Sequence, residues 1–125
     1  MSTPSPIRSR IDHLLTAEKG WLDGTNGEPI DPEKAALVCS ILEQTFKGEP
    51  PLIYPTPEGG LVVEDEWSSK EQSLNLEFDF DSMTALLVIF ENEAHGELCV
   101  HQEFPFATTE GQDDIRDALK NWRVE

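Results

Sequence analysis

Basic residues are almost missing from the middle of this chain. The 125 residues include 25 acids and 9 Lys or Arg, a formal net charge of −16. Residues 48–115 hold 16 of the acids against one base, Lys70. Residues 1–47 hold 7 acids and 5 bases, and residues 116–125 hold 2 acids and 3 bases. A field of that sign repels phosphate backbones and anionic lipid and steers basic partners in. Direct nucleic-acid or membrane binding is therefore not expected. Long apolar runs are also missing: none approaches the roughly 18 residues of a membrane helix. The start, Met1-Ser2-Thr3-Pro4-Ser5-Pro6, is polar and lacks the apolar segment of a signal peptide. The expectation is a soluble, cytoplasmic protein. Cysteine is scarce, with Cys39 and Cys99 alone, each in an apolar stretch, which reads as two small core residues rather than a bridge or reactive pair.

Motifs that carry chemistry are absent too. There is no GxSxG, CxxC or HExxH. The loop Trp21-Leu22-Asp23-Gly24-Thr25-Asn26-Gly27 lacks the GxxxxGK[ST] pattern and follows no strand, so it reads as a tight turn rather than a phosphate cradle. Asp79-Phe80-Asp81-Ser82-Met83-Thr84 departs from a calcium loop, because Met83 and Thr84 stand at a ligand position and at the glycine. Cys99 and His101 share a strand face with Glu97 and Glu103, but alternate strand residues lie about 7 Å apart, so one ion could reach few of them. His13 beside Asp12 is ordinary for a helix surface, and His95 falls in a turn. No catalytic residue, metal ligand or cofactor is expected.

What is present is strong patterning. Residues 1–5 read as a disordered lead, and residues 6–125 as a single α+β domain. Ile7, Ile11, Leu14 and Leu15 form the apolar stripe of a first helix that starts at Pro6, with Gly20 as its stop. A second helix has Asp31 as N-cap, Pro32 at the first position and Gly48 as its end. Its inner stripe is Ala35, Val38, Cys39, Leu42 and Phe46, with Ile41 on the margin. Leu52-Ile53-Tyr54 and Leu61-Val62-Val63 flank Thr56-Pro57-Glu58-Gly59, which suits a type I turn, with Gly60 free to take positive φ. Leu74 to Asp81 alternates apolar and polar without a break, which predicts a half-buried strand. Thr84–Phe90 is apolar on both sides, as an interior strand would be. Glu97–Phe104 alternates again, with Leu98, Val100 and Phe104 on one side. After Pro105, Thr109 and Gln112 have capping-box spacing, and Ile115, Ala118, Leu119 and Trp122 supply the stripe of a last helix. The sum is two N-terminal helices, an antiparallel sheet of four to five strands and a C-terminal helix, with the helices on one face of the sheet.

That architecture exposes Glu64, Glu66, Glu77, Asp79, Asp81, Glu97, His101 and Glu103 on the other face. The acids form a candidate platform for a basic partner protein or ribonucleoprotein, with nucleic-acid mimicry as one route. Tyr54 and Trp122 fall where core residues are expected, whereas Trp67, at a strand end, is the aromatic most suited to an interface. The alternative is a small ligand-binding domain or enzyme with a pocket near Trp21, Trp67 and His101.

Gly20-Trp21-Leu22-Asp23-Gly24, a helix, Pro55-Thr56-Pro57-Glu58-Gly59-Gly60-Leu61 and the acidic Glu64–Trp67 stretch together resemble a family of short uncharacterised bacterial proteins from mobile-element, toxin–antitoxin and defence gene neighbourhoods. The resemblance spans residues 20–80 and rests on structural turns, so it implies no site residues. The acidic build is similar in composition to phage-encoded anti-CRISPR and anti-restriction inhibitors. The expectation is a non-enzymatic interaction protein that binds and neutralises a basic partner through its acidic sheet face, as an antitoxin, immunity protein or anti-defence inhibitor does.

Overall fold

The computed structural model describes residues 5–21, 24, 27–46, 50–67, 71–91, 98–120 and 122. The elements run α1 (Pro6–Leu14), α2 (Pro32–Thr45), β1 (Leu52–Pro55), β2 (Leu61–Trp67), β3 (Gln72–Asp79), β4 (Thr84–Glu91), β5 (Leu98–Pro105) and α3 (Thr109–Leu119). The five strands pair in sequence order, each antiparallel to the next. This is the expected α+β arrangement, with the sheet a simple meander.

The register shows how one sheet face becomes the core. Ile53, Val63, Leu76 and Leu87 stand opposite one another across four strands, and Leu61, Phe78, Ala85 and Phe104 form a second row. Residues paired directly across antiparallel strands share a face, so these rows and the Leu74–Ile89–Val100 row make one apolar surface. The helices cover it. α2 lies between α1 and α3, α1 packs along β1, and α3 packs along β5. That central place explains why Ile41, expected on the helix margin, is fully buried together with Ala35, Val38 and Leu42. Neighbours on both flanks widen the buried arc of α2 beyond a single stripe.

Local chemistry sets the helix ends. Asp31 caps α2 as expected, its carboxylate accepting from the amides of Glu33 at 2.9 Å and Lys34 at 3.4 Å. The Gly48 stop lies outside the described residues. Ser5, assigned to the disordered lead, is instead the N-cap of α1. Its Oγ accepts from the Arg8 amide at 3.1 Å and donates to Glu43 Oε2 at 2.6 Å. Residues 1–4 lie outside the described residues. α1 also stops earlier than Gly20. After Leu14 the chain tightens into i→i−3 bonds, Thr16 N to His13 O and Ala17 N to Leu14 O, and the Thr16 hydroxyl donates to His13 O as well. Gly20, at φ 85°, then donates to Gly27 O and closes the loop. In α3 the cap falls one residue before the expected Thr109. Thr108 Oγ1 accepts from Gly111 N, and Gln112 turns back to donate from Nε2 to Phe106 O.

The hairpin forms where expected. Gly59 N donates to Thr56 O at 3.0 Å, closing the type I turn. Positive φ belongs to Gly59, at 90°, rather than Gly60. Gly60 serves another need, because a Cβ there would overlap the Phe78 carbonyl oxygen on the neighbouring strand. β5 departs from simple alternation. Between Ile89 and Phe90 the register shifts, so Val100 opposes Ile89 while Leu98 opposes Phe90; the Leu98 side chain, expected on the side of Val100 and Phe104, lies outside the described residues. Phe106, just past Pro105, is fully buried with its ring edge-to-face against Phe78 at 5.2 Å.

Gly111 shows how closely α3 is seated. A Cβ built there would overlap the Pro105 carbonyl oxygen and lie 2.8 Å from its carbon. Helix propensity alone favours alanine over glycine by about 1 kcal/mol. Overpacking against fixed backbone outweighs that, so Gly111→Ala should destabilise the fold by roughly 2 kcal/mol in chemical denaturation. A neutral or stabilising result would mean that α3 does not approach Pro105 this closely.

Candidate functional site

The face of the sheet turned away from the helices is built from the alternate residues of the same strands. One row crosses it as Tyr54, Val62, Glu77, Leu86 and Glu103. A second reads Leu52, Glu64, Asn75, Val88 and His101, and a third Glu66, Ser73 and Phe90. No lysine or arginine occurs in any of the three rows. Glu66, Glu77, Asp79 and Glu103 are exposed, and Glu64 is half-buried, with Asn75 Nδ2 donating to its Oε1 at 3.5 Å. No described element covers this face. Leu52 is 60% exposed and Tyr54 38%, and Val62, Leu86, Val88 and Phe90 are half-buried.

The expected platform residues therefore divide. Glu64, Glu66, Glu77, Asp79 and Glu103 share the open face, and His101 lies beside them, exposed. Asp81 falls in the turn after β3, because the strand ends at Asp79. The Asp79 carboxylate ends it by accepting from the amides of Ser82 at 3.2 Å and Asp81 at 2.9 Å. Those two amides, Ser82 first, hold the Asp79 carboxyl below the usual carboxylate range. Glu97 lies outside the described residues.

The roles of two aromatics are exchanged. Trp67 follows Leu61, Val63 and Asp65 in alternation, which puts it on the helix side. There it stacks edge-to-face on Trp122 at 5.5 Å, while the Trp122 indole N–H donates to Asp65 Oδ2 at 2.9 Å. Tyr54, expected in the core, stands on the open face because Ile53 takes the inward position of its short strand. The apolar members of the open face go beyond what strand alternation predicts. Their signal was Thr84–Phe90, apolar at every second residue on both sides, whereas a sheet covered on one face needs apolar side chains on only one.

Trp21, Trp67 and His101 do not come together. Trp21 donates its indole N–H to Glu28 O at 2.8 Å near the β1–β2 turn, Trp67 is on the helix side at the far end of β2, and His101 is on the open face of β5. An open cleft of about 750 Å³ lies where the Gly27–Asp31 segment meets the β1–β2 and β3–β4 turns. Glu28, Asp31, Glu58 and Asp81 line it with Lys34, whose Nζ donates to Phe80 O at 2.8 Å. None of its lining residues is a histidine, cysteine or serine. Among the described residues no three His, Cys, Asp or Glu side chains are placed to hold one metal ion.

The other perturbed groups belong to the helix layer. Burial pushes the Cys39 thiol up to about 11, and the hydrogen bond it donates to Glu43 adds to the effect. A thiol held protonated in this way is a poor nucleophile. Glu43 accepts from Ser5 and Cys39 and lies 3.6 Å from the Arg8 guanidinium, and these partners hold its carboxyl below the ordinary value of 4.5. The Cys99 side chain lies outside the described residues.

No protein-family model, curated protein or solved structure matches the chain. No helix among the described residues is long and apolar enough to cross a membrane.

Two measurements test the electrostatics. Repulsion among the sheet acids should make the melting temperature at pH 7 rise between about 20 mM and about 0.5 M NaCl, and the rise should shrink in a Glu77→Lys/Glu103→Lys variant. Equal salt responses in the two proteins would contradict that charge balance. Glu43→Gln should lower stability near neutral pH. A carboxyl depressed in the folded state stabilises above its unfolded value and loses that effect as pH falls through its folded value. The gap between wild type and variant should therefore close below pH 4.5; a gap constant with pH would contradict the ionised Glu43 network.

Proposed function

We propose that this protein is a non-enzymatic binding protein that engages and neutralises a basic partner, a protein or ribonucleoprotein, through the open face of its sheet. The observation that carries the reading is the composition of that face. Glu64, Glu66, Glu77, Asp79 and Glu103 are interleaved with the part-exposed side chains of Leu52, Tyr54, Val62, Leu86 and Val88, and no lysine or arginine stands in the rows. Acids that served only solubility would need no apolar neighbours. In a binding surface the two have separate tasks: the charge accelerates encounter with a basic surface, and the apolar side chains, once desolvated, slow dissociation. Antitoxin, immunity and anti-defence roles all require this combination, as does mimicry of a nucleic acid's charge.

The test is capture from nuclease-treated lysate with the tagged protein, at low and high salt, beside two face variants. The expected result is one stoichiometric basic partner at low salt, released by high salt and lost with Glu64→Lys/Glu77→Lys/Glu103→Lys. Leu86→Ser/Val88→Ser should retain encounter but release the partner faster. Capture unchanged by the charge-reversal variant would overturn the proposal.

A further inference from the structure

The two edges of the sheet are finished differently. β1, at one edge, is four residues long and bounded by Pro50, Pro51 and Pro55. α1 lies along it, Arg10 Nε donates to the Ile53 carbonyl at 3.1 Å, and inward-facing Ile53 is only 1% exposed. Proline, short length and a bonded carbonyl are means of closing an edge to further pairing. β5, at the other edge, is eight residues long, and its only proline is its last residue, Pro105. His101, Gln102 and Glu103 are exposed one after another. Gln102 pairs with Leu87 and therefore points to the helix side, so its exposure means that α3 does not overhang the middle of this strand. An edge strand turns half of its backbone N–H and C=O groups away from its neighbour. Among the described residues no hydrogen bond from another element reaches that side of β5.

We propose that the free edge of β5 accepts an extended basic segment of the partner as a sixth strand of the sheet. This rests on the binding function proposed above and gives it a geometry. The added strand would take main-chain hydrogen bonds along Val100–Phe104, and its alternate side chains on the open face would lie beside Glu103 and His101, at the margin of the face that carries Glu77 two strands further in. Charge selects this occupant over a second copy of the chain. Pairing β5 with itself would bring two molecules of net charge −16 together, whereas a lysine- or arginine-rich segment relieves the repulsion within the sheet.

The probe is a peptide of about ten alternating lysines and valines, compared with the same peptide N-methylated at every backbone nitrogen, which keeps the side-chain charge but removes the N–H donors of both strand edges. Each is titrated into the ¹⁵N-labelled full chain at low salt. The unmethylated peptide should shift the amides of Val100–Phe104, slow their hydrogen exchange, and bind at least about tenfold more tightly than the methylated one, since several main-chain hydrogen bonds are at stake. If both peptides bind equally and perturb Glu64 and Glu77 instead, the edge proposal fails and the acidic-face reading stands. If neither perturbs edge or face, both fail for basic partners. Concentration-dependent shifts at Val100–Phe104 in the free protein would also overturn the proposal, because the edge would already serve a second copy.

Discussion

Everything in this structure depends on burying one face of a five-stranded meander under a single layer of three helices. The row Ile53–Val63–Leu76–Leu87 and its neighbours present apolar surface that only a central helix can seal, and α2 does so with residues buried on both its flanks. The remaining contacts hold α2 and its partners in place. Glu43 ties α2 to the cap of α1 through Ser5, Gly111 lets α3 approach the end of β5, and Phe106 fills the space beneath Phe78. Apolar burial supplies the driving force, and the polar contacts set position.

That arrangement places the three described helices on one side. The other side of the sheet stays open among the described residues, and it carries most of the strand acids. Crowding carboxylates opposes the compact state, which is a cost to stability with no structural return on a solvated face. The same face also leaves Leu52 and Tyr54 well exposed, although strand chemistry could have supplied threonine there. Both features are what the proposed complex with a basic, partly apolar surface would relieve. The contrast between a closed β1 edge and an open β5 edge has the same direction. One edge is protected from pairing by Arg10 and prolines, and the other is left available.

The sequence made much of this legible because its periodicities are strong. The unbroken alternation from Leu74 to Asp79, the Asp31-Pro32 helix start and the Thr56–Gly59 turn each combine a local signal with a matching tertiary role. Other features depend on contacts between distant segments and left no local trace. Ile41 lies beyond a single helical stripe and is buried only because α1 and α3 flank α2. Trp67 and Tyr54 changed places because the facing of a strand is decided by register, and a shift of one residue reverses every side chain. Glu64, Glu66, Glu77, Asp79 and Glu103 were found by alternation, while Asp81 was lost when Asp79 turned its carboxylate onto the next amides and ended β3. The apolar half of the open face was hidden in Thr84–Phe90, since a strand apolar on both sides looks like one covered on both sides.

One face of this sheet is sealed by helices, and the other is left uncovered among the described residues. Leu86 and Leu87 are adjacent on β4 and point to opposite faces, which makes them a matched pair of reporters. The most direct measurement is methyl NMR of the whole chain with a soluble paramagnetic agent. With that arrangement the Leu86 and Val88 methyls relax strongly, and those of Leu76 and Leu87 show nothing above background. Equal protection of Leu86 and Leu87 would contradict it, because the face assigned to the partner would then already be covered by the protein's own chain.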